Sequence, residues 1–324
     1  MRPFILAVVL AAVSASPAGA QAWLQAKGET TVSFVVSDSF VREHDLNGIR
    51  DPNGRISTQS FLADVTYGVR DNLSVSLSLP VVRSQFTTLG TPPHPTIQDD
   101  GRYHTSAADF RFDVRYSALN RRSTVITPFI STVTPSHDYQ YFAHAAPGRR
   151  VQELQVGTYV GTTLDRLLPG MFVQGRYGYG FQERFVDISH NRSVYSVESG
   201  YFLTPDVRVF GMVGGQHTHG GLNLIPGASR IWPANLWQNH DRVAREEFLN
   251  LGGGMGWSIN DAFDVFGSFT KATYARNTHV LDRAIVFGVS LRVQKSALER
   301  GIVSASQEHQ LARCACQKGL AAKR

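Results

Sequence analysis

YGVRDNLSVSLSLPV, residues 67–81, carries an apolar side chain at every second position from Leu73 onward: Leu73, Val75, Leu77, Leu79 and Val81. Ser74, Ser76 and Ser78 lie between them. A period of two marks a strand with one apolar and one polar face. Upstream, Phe61, Ala63, Val65, Tyr67 and Val69 repeat the pattern, with Asp64, Thr66 and Gly68 on the other face. Arg70-Asp71-Asn72 joins the two runs, and Asp-Asn favours a tight turn. The stretch is a hairpin with one greasy and one hydroxyl-lined face. The fold turns on whether the greasy face meets a protein core or lipid.

Reading outward from the hairpin gives twelve such strands. The first spans Gly28 to Phe40 and is followed by a polar stretch, Arg42 to Arg55, with turn residues at Asn47-Gly48 and Asp51-Pro52-Asn53-Gly54. The hairpin supplies the second and third, and a long loop from Ser84 to His104 follows, containing Pro92-Pro93-His94-Pro95. In the fourth strand Phe110, Phe112, Val114 and Tyr116 share one face, and Asp109, Arg111, Asp113 and Arg115 the other. Later strands are expected over 124–134, 151–164 and 171–185, then one carrying Tyr195, Val197, Tyr201 and Leu203, one over 207–216, one carrying Leu249, Leu251, Met255 and Trp257, and two over 263–274 and 284–293. The phase of the ninth is ambiguous, since Val209 and Val213 compete with Phe210 and Met212.

Connections after the second, fourth, sixth, eighth and tenth strands are turns, whereas several of the others are long. Long loops at one end and short turns at the other, with an even strand number, is the pattern of outer-membrane barrels. Most strands reach about 10–14 residues, enough for the ~9–11 of a tilted transmembrane strand. Tyr67, Tyr116, Tyr201, Trp257 and Phe263 gather near apolar-face ends, as interfacial aromatic girdles do. In lipid every backbone polar group must pair within the protein, so the sheet must close. The expected fold is an all-β, antiparallel transmembrane barrel of twelve strands, spanning residues 23–293.

The chain has 324 residues, 42% hydrophobic and 18% charged. No apolar run approaches a membrane-spanning helix. Arg2, the apolar run Phe4–Val13 and the small residues up to Ala20 have the order of a secretory signal. A-x-A cleavage sites end at Ala20 or Ala22, so residues 1–22 are expected to be removed on export to the periplasmic side. Export and a barrel together imply the outer membrane of a Gram-negative bacterium. The net charge of +6 is dispersed rather than blocked. That pattern argues against nucleic acid and for contact with outer-membrane lipid and anionic lipopolysaccharide. Residues 294–324 form a basic tail carrying Cys314 and Cys316, the only cysteines. Their i,i+2 spacing suits neither an unstrained disulfide nor a metal site.

A barrel's second face lines its interior. Asp109, Arg111, Asp113 and Arg115, with Asp64, Ser74, Ser76, Ser78, Arg176 and Glu198, are the lumen candidates. They form either a charged constriction that selects permeants or a self-paired filling of a narrow barrel. His217, His219 and His240 lie in or beside the longest loop, but i,i+2 histidines without a clear third ligand make a weak metal motif, and neither metal nor cofactor is expected. His104-Thr105-Ser106 has the His-x-Ser spacing of barrel phospholipases. The next Asn, Asn120, sits in the turn at the far end of the fourth strand, where it could not orient His104, so an enzyme is not expected. Loops rich in Phe, Tyr, Trp, His and Pro suit capture of apolar or aromatic molecules, or simply pack over the barrel mouth.

YGVRDNLSVSLSLPVV, the Ser106-Ala107-Ala108-Asp109 entry to the fourth strand, ITPFISTVTPSHD, PGRRVQELQVG and YGYGF resemble the putative MetA-pathway of phenol degradation family of outer-membrane barrels. That resemblance implies a channel for passive uptake of small hydrophobic or aromatic compounds. The readings beside it are a structural or adhesive barrel with a plugged lumen and a lipid-acting barrel enzyme. Two features depart from the family pattern: Leu291-Arg292-Val293 ends the last strand without a closing aromatic, and the basic tail follows it.

Overall fold

The computed structural model describes residues 22–52, 54–88, 97–121 and 123–294. The expected signal segment up to residue 21, the Pro92-Pro93-His94-Pro95 loop and the cysteine-bearing tail lie outside the described residues.

The chain is a closed antiparallel barrel of twelve strands. In order they are β1 (Glu29–Leu46), β2 (Gly54–Arg70), β3 (Leu73–Thr88), β4 (Phe110–Tyr116), β5 (Thr124–Thr134) and β6 (Glu153–Thr163). Then come β7 (Met171–Gln182), β8 (Arg192–Phe202), β9 (Val207–Thr218), β10 (Glu247–Asn260), β11 (Phe263–Arg276) and β12 (His279–Gln294). Each strand pairs with its sequence neighbours, and β12 returns to β1, from Glu29↔Gln294 to His44↔His279. Closure leaves no exposed sheet edge, which is what a hydrocarbon surround demands.

The hairpin reads as expected. Tyr67, Val69, Leu77, Leu79 and Val81 are exposed, while Ser74 and Ser76 are buried inside. The same holds around the wall. Phe34, Phe61, Phe112, Ile130, Val156, Val197, Leu251, Met255, Phe287 and Leu291 point outward, and Ser33, Ser37, Asp113, Thr127, Ser131, Gln155, Gln174 and Ser290 point in. In β9 it is Val209 that faces out, with Phe210 inside. A soluble core inverts this order, so the apolar band faces lipid.

Several strands outrun their sequence-based bounds. β1 continues to Leu46, where Asn47 and Gly48, both with positive φ, turn it back on Ile49–Asp51. The Arg42–Arg55 stretch is therefore largely sheet: polar side chains hid a ladder that projects past the apolar band. β3 likewise runs on to Thr88, into the expected loop, and His104–Ala107 pairs with it. β4 is shorter than its partners and is supplemented by the short strand Leu119–Arg121 against β5. The connections after β2, β4, β6, β8 and β10 all lie at one end, the turn end. At the other end the stretches 135–152 and 219–246 fold into the mouth, the latter with short helices α1 (Ala228–Ile231), α2 (Ala234–Gln238) and α3 (His240–Val243).

Candidate functional site: the lumen and its two closures

The register brings most of the expected lumen residues together. Asp64 faces Ser78 across β2–β3, and Ser74, Ser76 and Ser78 face Arg115, Asp113 and Arg111 across β3–β4. Asp64 accepts hydrogen bonds from Ser78 Oγ at 2.6 Å and Thr66 Oγ1 at 3.2 Å. Asp113 lies 3.5 Å from Arg115 and 3.8 Å from Arg111. Along the adjoining wall, Arg176 donates to Gln155 Oε1 at 2.7 Å and lies over the rings of Phe129 and Tyr159. Arg115 shares the Tyr159 ring. Asp113 is thus paired with Arg111 and Arg115, as an ion withdrawn from water must be, while Arg176 is held by Gln155 and by the aromatic rings. Glu198 stands apart, nearer the turn end, accepting from Gln174 Nε2 at 3.1 Å. Asp109 does not join the ladder. It precedes β4, and the Tyr139 hydroxyl donates to it, fastening the 135–152 stretch to the wall. Burial raises the Asp109 carboxyl above its ordinary value and the Tyr139 phenol with it.

At the loop end an ion-pair network, which the alternation of the strands gave no way to anticipate, ties the loops to one another and to the wall. Arg149 binds Glu246 at 2.8 Å, Arg192 binds Glu153 at 2.7 Å, and Gln216 bridges Glu246 and Arg192 at 3.1 and 2.9 Å. Arg242 donates to the carbonyls of Arg149 at 2.9 Å and Arg150 at 3.1 Å, its guanidinium lying over Tyr141 and Phe185. Each bond from a charged donor contributes about 1.5–3 kcal/mol. Arg242→Ala should therefore free the inner loop, and single-channel conductance of the reconstituted variant should exceed that of the parent severalfold. An unchanged conductance would mean that the loop does not narrow the path. The only forward signal for this network was the density of Arg and Glu at loop–strand junctions.

Beside the network sits a histidine group. His44 and His279 rings are 3.8 Å apart between centroids, and His44 and His144 rings 5.3 Å. His144 binds Asp99 at 3.1 Å and stacks on Phe86, while His240 binds Asp241 at 3.2 Å and stacks on Trp237. His217 pairs with Glu247 at 3.1 Å, and His219 meets Ser193 Oγ at 2.8 Å. Among the described residues no three His, Cys, Asp or Glu side chains converge as metal ligands. The His-x-Ser stretch does not assemble a triad: His104 contacts Asp100 at 2.8 Å, Ser106 contacts His137 at 3.3 Å, and Asn120 lies at the turn end.

The turn end is crossed by the chain itself. Ala22 is fully buried against Val125, Phe129 and Tyr159, with Trp23 packed alongside. Thr127 Oγ1 donates to the Ala22 carbonyl at 2.7 Å, and the Ala22 amide reaches Gln174 Oε1 at 3.4 Å. From there the chain returns to the β2 wall, where the Gly28 amide meets the Gly68 carbonyl at 2.8 Å. Gly68 and Gly161 make room for this strap, since a Cβ on either would collide with the Ala26 backbone or the Trp23 ring. A chain cut after Ala22 would lose these anchors. If the expected signal is removed, a cut after Ala20 keeps the strap whole, and an intact-mass measurement on the exported protein should read a chain beginning at Gln21; a mass beginning at Trp23 would refute it.

No protein-family model and no curated protein sequence matches the chain. Among solved structures it is similar to the COG4313 outer membrane channel from Pseudomonas putida F1. The two share 10% identity at a TM-score of 0.63, over 85% of this chain and 99% of that one. It also aligns with the NanC porin at 8% identity and TM-score 0.47, covering 81% and 100%. A third match is the translocator domain of the autotransporter NalP from Neisseria meningitidis, at 11% identity and TM-score 0.49, covering 83% and 90%. The chain therefore shares with the first of these the fold of a closed, twelve-stranded outer-membrane β-barrel.

Proposed function

We propose that the protein is a channel of the Gram-negative outer membrane through which small hydrophobic or aromatic molecules pass passively. The observation that carries this reading is the mouth: the loops place Tyr141, Phe142 and Trp237 at the loop end of the barrel, with Phe142 and Trp237 rings 6.2 Å apart. Aromatic surface at a channel entrance suits capture of an apolar solute from water. Short turns and the strap face the periplasm, long loops the exterior, and the basic surface meets lipopolysaccharide.

A second reading, a structural barrel plugged by its own side chains, is favoured by the self-paired Asp–Arg ladder and by the strap. One experiment separates them. The purified protein is reconstituted into vesicles with a lipopolysaccharide outer leaflet, and uptake of N-phenyl-1-naphthylamine is followed by fluorescence. Uptake faster than in protein-free vesicles is expected. Equal uptake, with no measurable conductance at any pH, would leave the plugged barrel. Lipid hydrolysis in the same vesicles, abolished by His104→Ala, would instead revive the enzyme.

A further inference from the structure

A cavity of about 100 Å³ lies at the loop end between the inner loop and the wall formed by β1, β2 and β10 to β12. Its apolar side consists of Val41, Ile56, Phe248 and Leu281. The charged groups around it are already engaged: Arg149 with Glu246, Asp241 with His240, and His144 with Asp99. Two polar side chains are not. Asn250, 1% exposed, has neither its amide nitrogen nor its amide oxygen hydrogen-bonded, and the buried Nε2 of His279 is also unpartnered. Both residues line the cavity.

A buried carboxamide with donor and acceptor both unsatisfied costs several kcal/mol unless something fills it. Its complement is a head group that accepts from the nitrogen and donates to the oxygen side by side, which is another primary amide, or less completely a hydroxyl. A carboxylate offers only acceptors and would leave Asn250 Oδ1 unpaired. Size limits the rest. An apolar cavity of about 150 Å³ holds one benzene, so this one takes roughly four heavy atoms.

We propose that this cavity is a binding site for a small neutral molecule with a primary amide or hydroxyl head on a short apolar tail, the head paired to Asn250 and His279 and the tail against Val41, Ile56 and Phe248. As the identity of a permeant it rests on the channel reading; as a binding site it stands alone. Neutral solutes of this shape are selected over their anions because the paired charges leave no free cation facing the head.

The test uses the full chain in detergent, with acetamide as probe and saturation-transfer NMR as readout. Transfer to the acetamide methyl is expected, with affinity at least tenfold weaker for acetate at pH 7 and for acetamide on Asn250→Leu. His279→Leu, checked for the same heat-dependent gel shift as the parent, should weaken binding too and serves if Asn250→Leu fails to fold. Equal binding by the variants, or no transfer to the parent (water alone in the cavity), overturns the site. Intact binding with no flux into vesicles would instead sink the channel reading and leave the site standing.

Discussion

Between pH 7 and pH 4.5 the closed arrangement of the mouth should give way, and conductance of the reconstituted protein should rise. Three histidines hold the sign. His44 and His279 sit at the outer ends of β1 and β12, beyond the apolar band, and His190 lies in the connection between β7 and β8. Burial lowers His44 well below its ordinary value, with His279, His144 and His240 adding to the effect. Burial likewise takes His279 to about 4 against the opposing pull of Asp241, and takes His190 to about 4 with help from Arg149. A histidine released to water titrates near 6.5. As pH falls below that value the released loops take up protons that the docked loops cannot, so docking weakens progressively until the docked pKa near 4 is reached.

Each such group shifts the ratio of docked to released loop by up to about tenfold per pH unit in that window. Asp109, raised by burial, binds its proton more readily docked than released and so offsets part of the histidine effect as pH falls, whereas the carboxylates beside the imidazoles act elsewhere on the scale. Burial works to raise Asp99 and Asp241, but their imidazole neighbours, His144 for the first and His240 with His279 for the second, outweigh it and hold both below the ordinary carboxylate value. Their contribution is lost only below about pH 3.8, beneath the window. Conductance read in planar bilayers at pH 7, 6, 5 and 4.5 should climb, and His279→Phe, which keeps a ring but no proton site, should flatten the climb. A profile level from pH 7 to 4.5 in the parent would show that the imidazoles do not latch the mouth.

How far sequence reading carried differs between wall and mouth, for a physical reason. In the wall every residue obeys one rule, in or out by parity, so Leu77, Phe112 and Phe287 reveal the lipid face and Ser76, Asp113 and Arg176 the interior without knowledge of any partner. β9 resisted because both parities carry apolar residues there; Phe210 packs inside against small neighbours, and only the closed register separates it from Val209. The mouth obeys no period. Arg242, Arg149 and Glu246 meet through loops whose path depends on contacts almost a hundred residues apart in the chain, and Asn250 is conspicuous only once its lack of partners is seen. The strap is a similar case. Ala22 and Trp23 read as the edge of a cleavage site, while their use as packing against Phe129 depends on a wall a hundred residues away. Strand ends were misplaced for yet another reason: beyond the membrane a ladder no longer needs an apolar face, so β1 and β3 continue through residues that read as loop.

The lipid-facing assignment makes the sharpest demand at Leu77. It is the third of the five outward residues of β3 and 41% exposed, and its register partners Val65 and Phe112 are exposed on the same band at 40% and 45%. An arginine there must carry its guanidinium into hydrocarbon from the middle of an apolar row, with no inward path because the side chain leaves the outer face of the sheet. Leu77→Arg should cost about 2–4 kcal/mol, the penalty of a cation near the bilayer midplane. Leu77→Met, which keeps the apolar surface, should change stability by less than about 1.5 kcal/mol. Ser78, one residue on and facing Asp64, gives the inward control: Ser78→Asn puts a polar head beside a carboxylate and should leave assembly intact. Urea unfolding in phosphocholine vesicles, followed by the heat-dependent gel shift, measures all three. If Leu77→Arg is as stable as Leu77→Met while Ser78→Asn fails to assemble, the faces are reversed and the greasy row of the hairpin is a core after all.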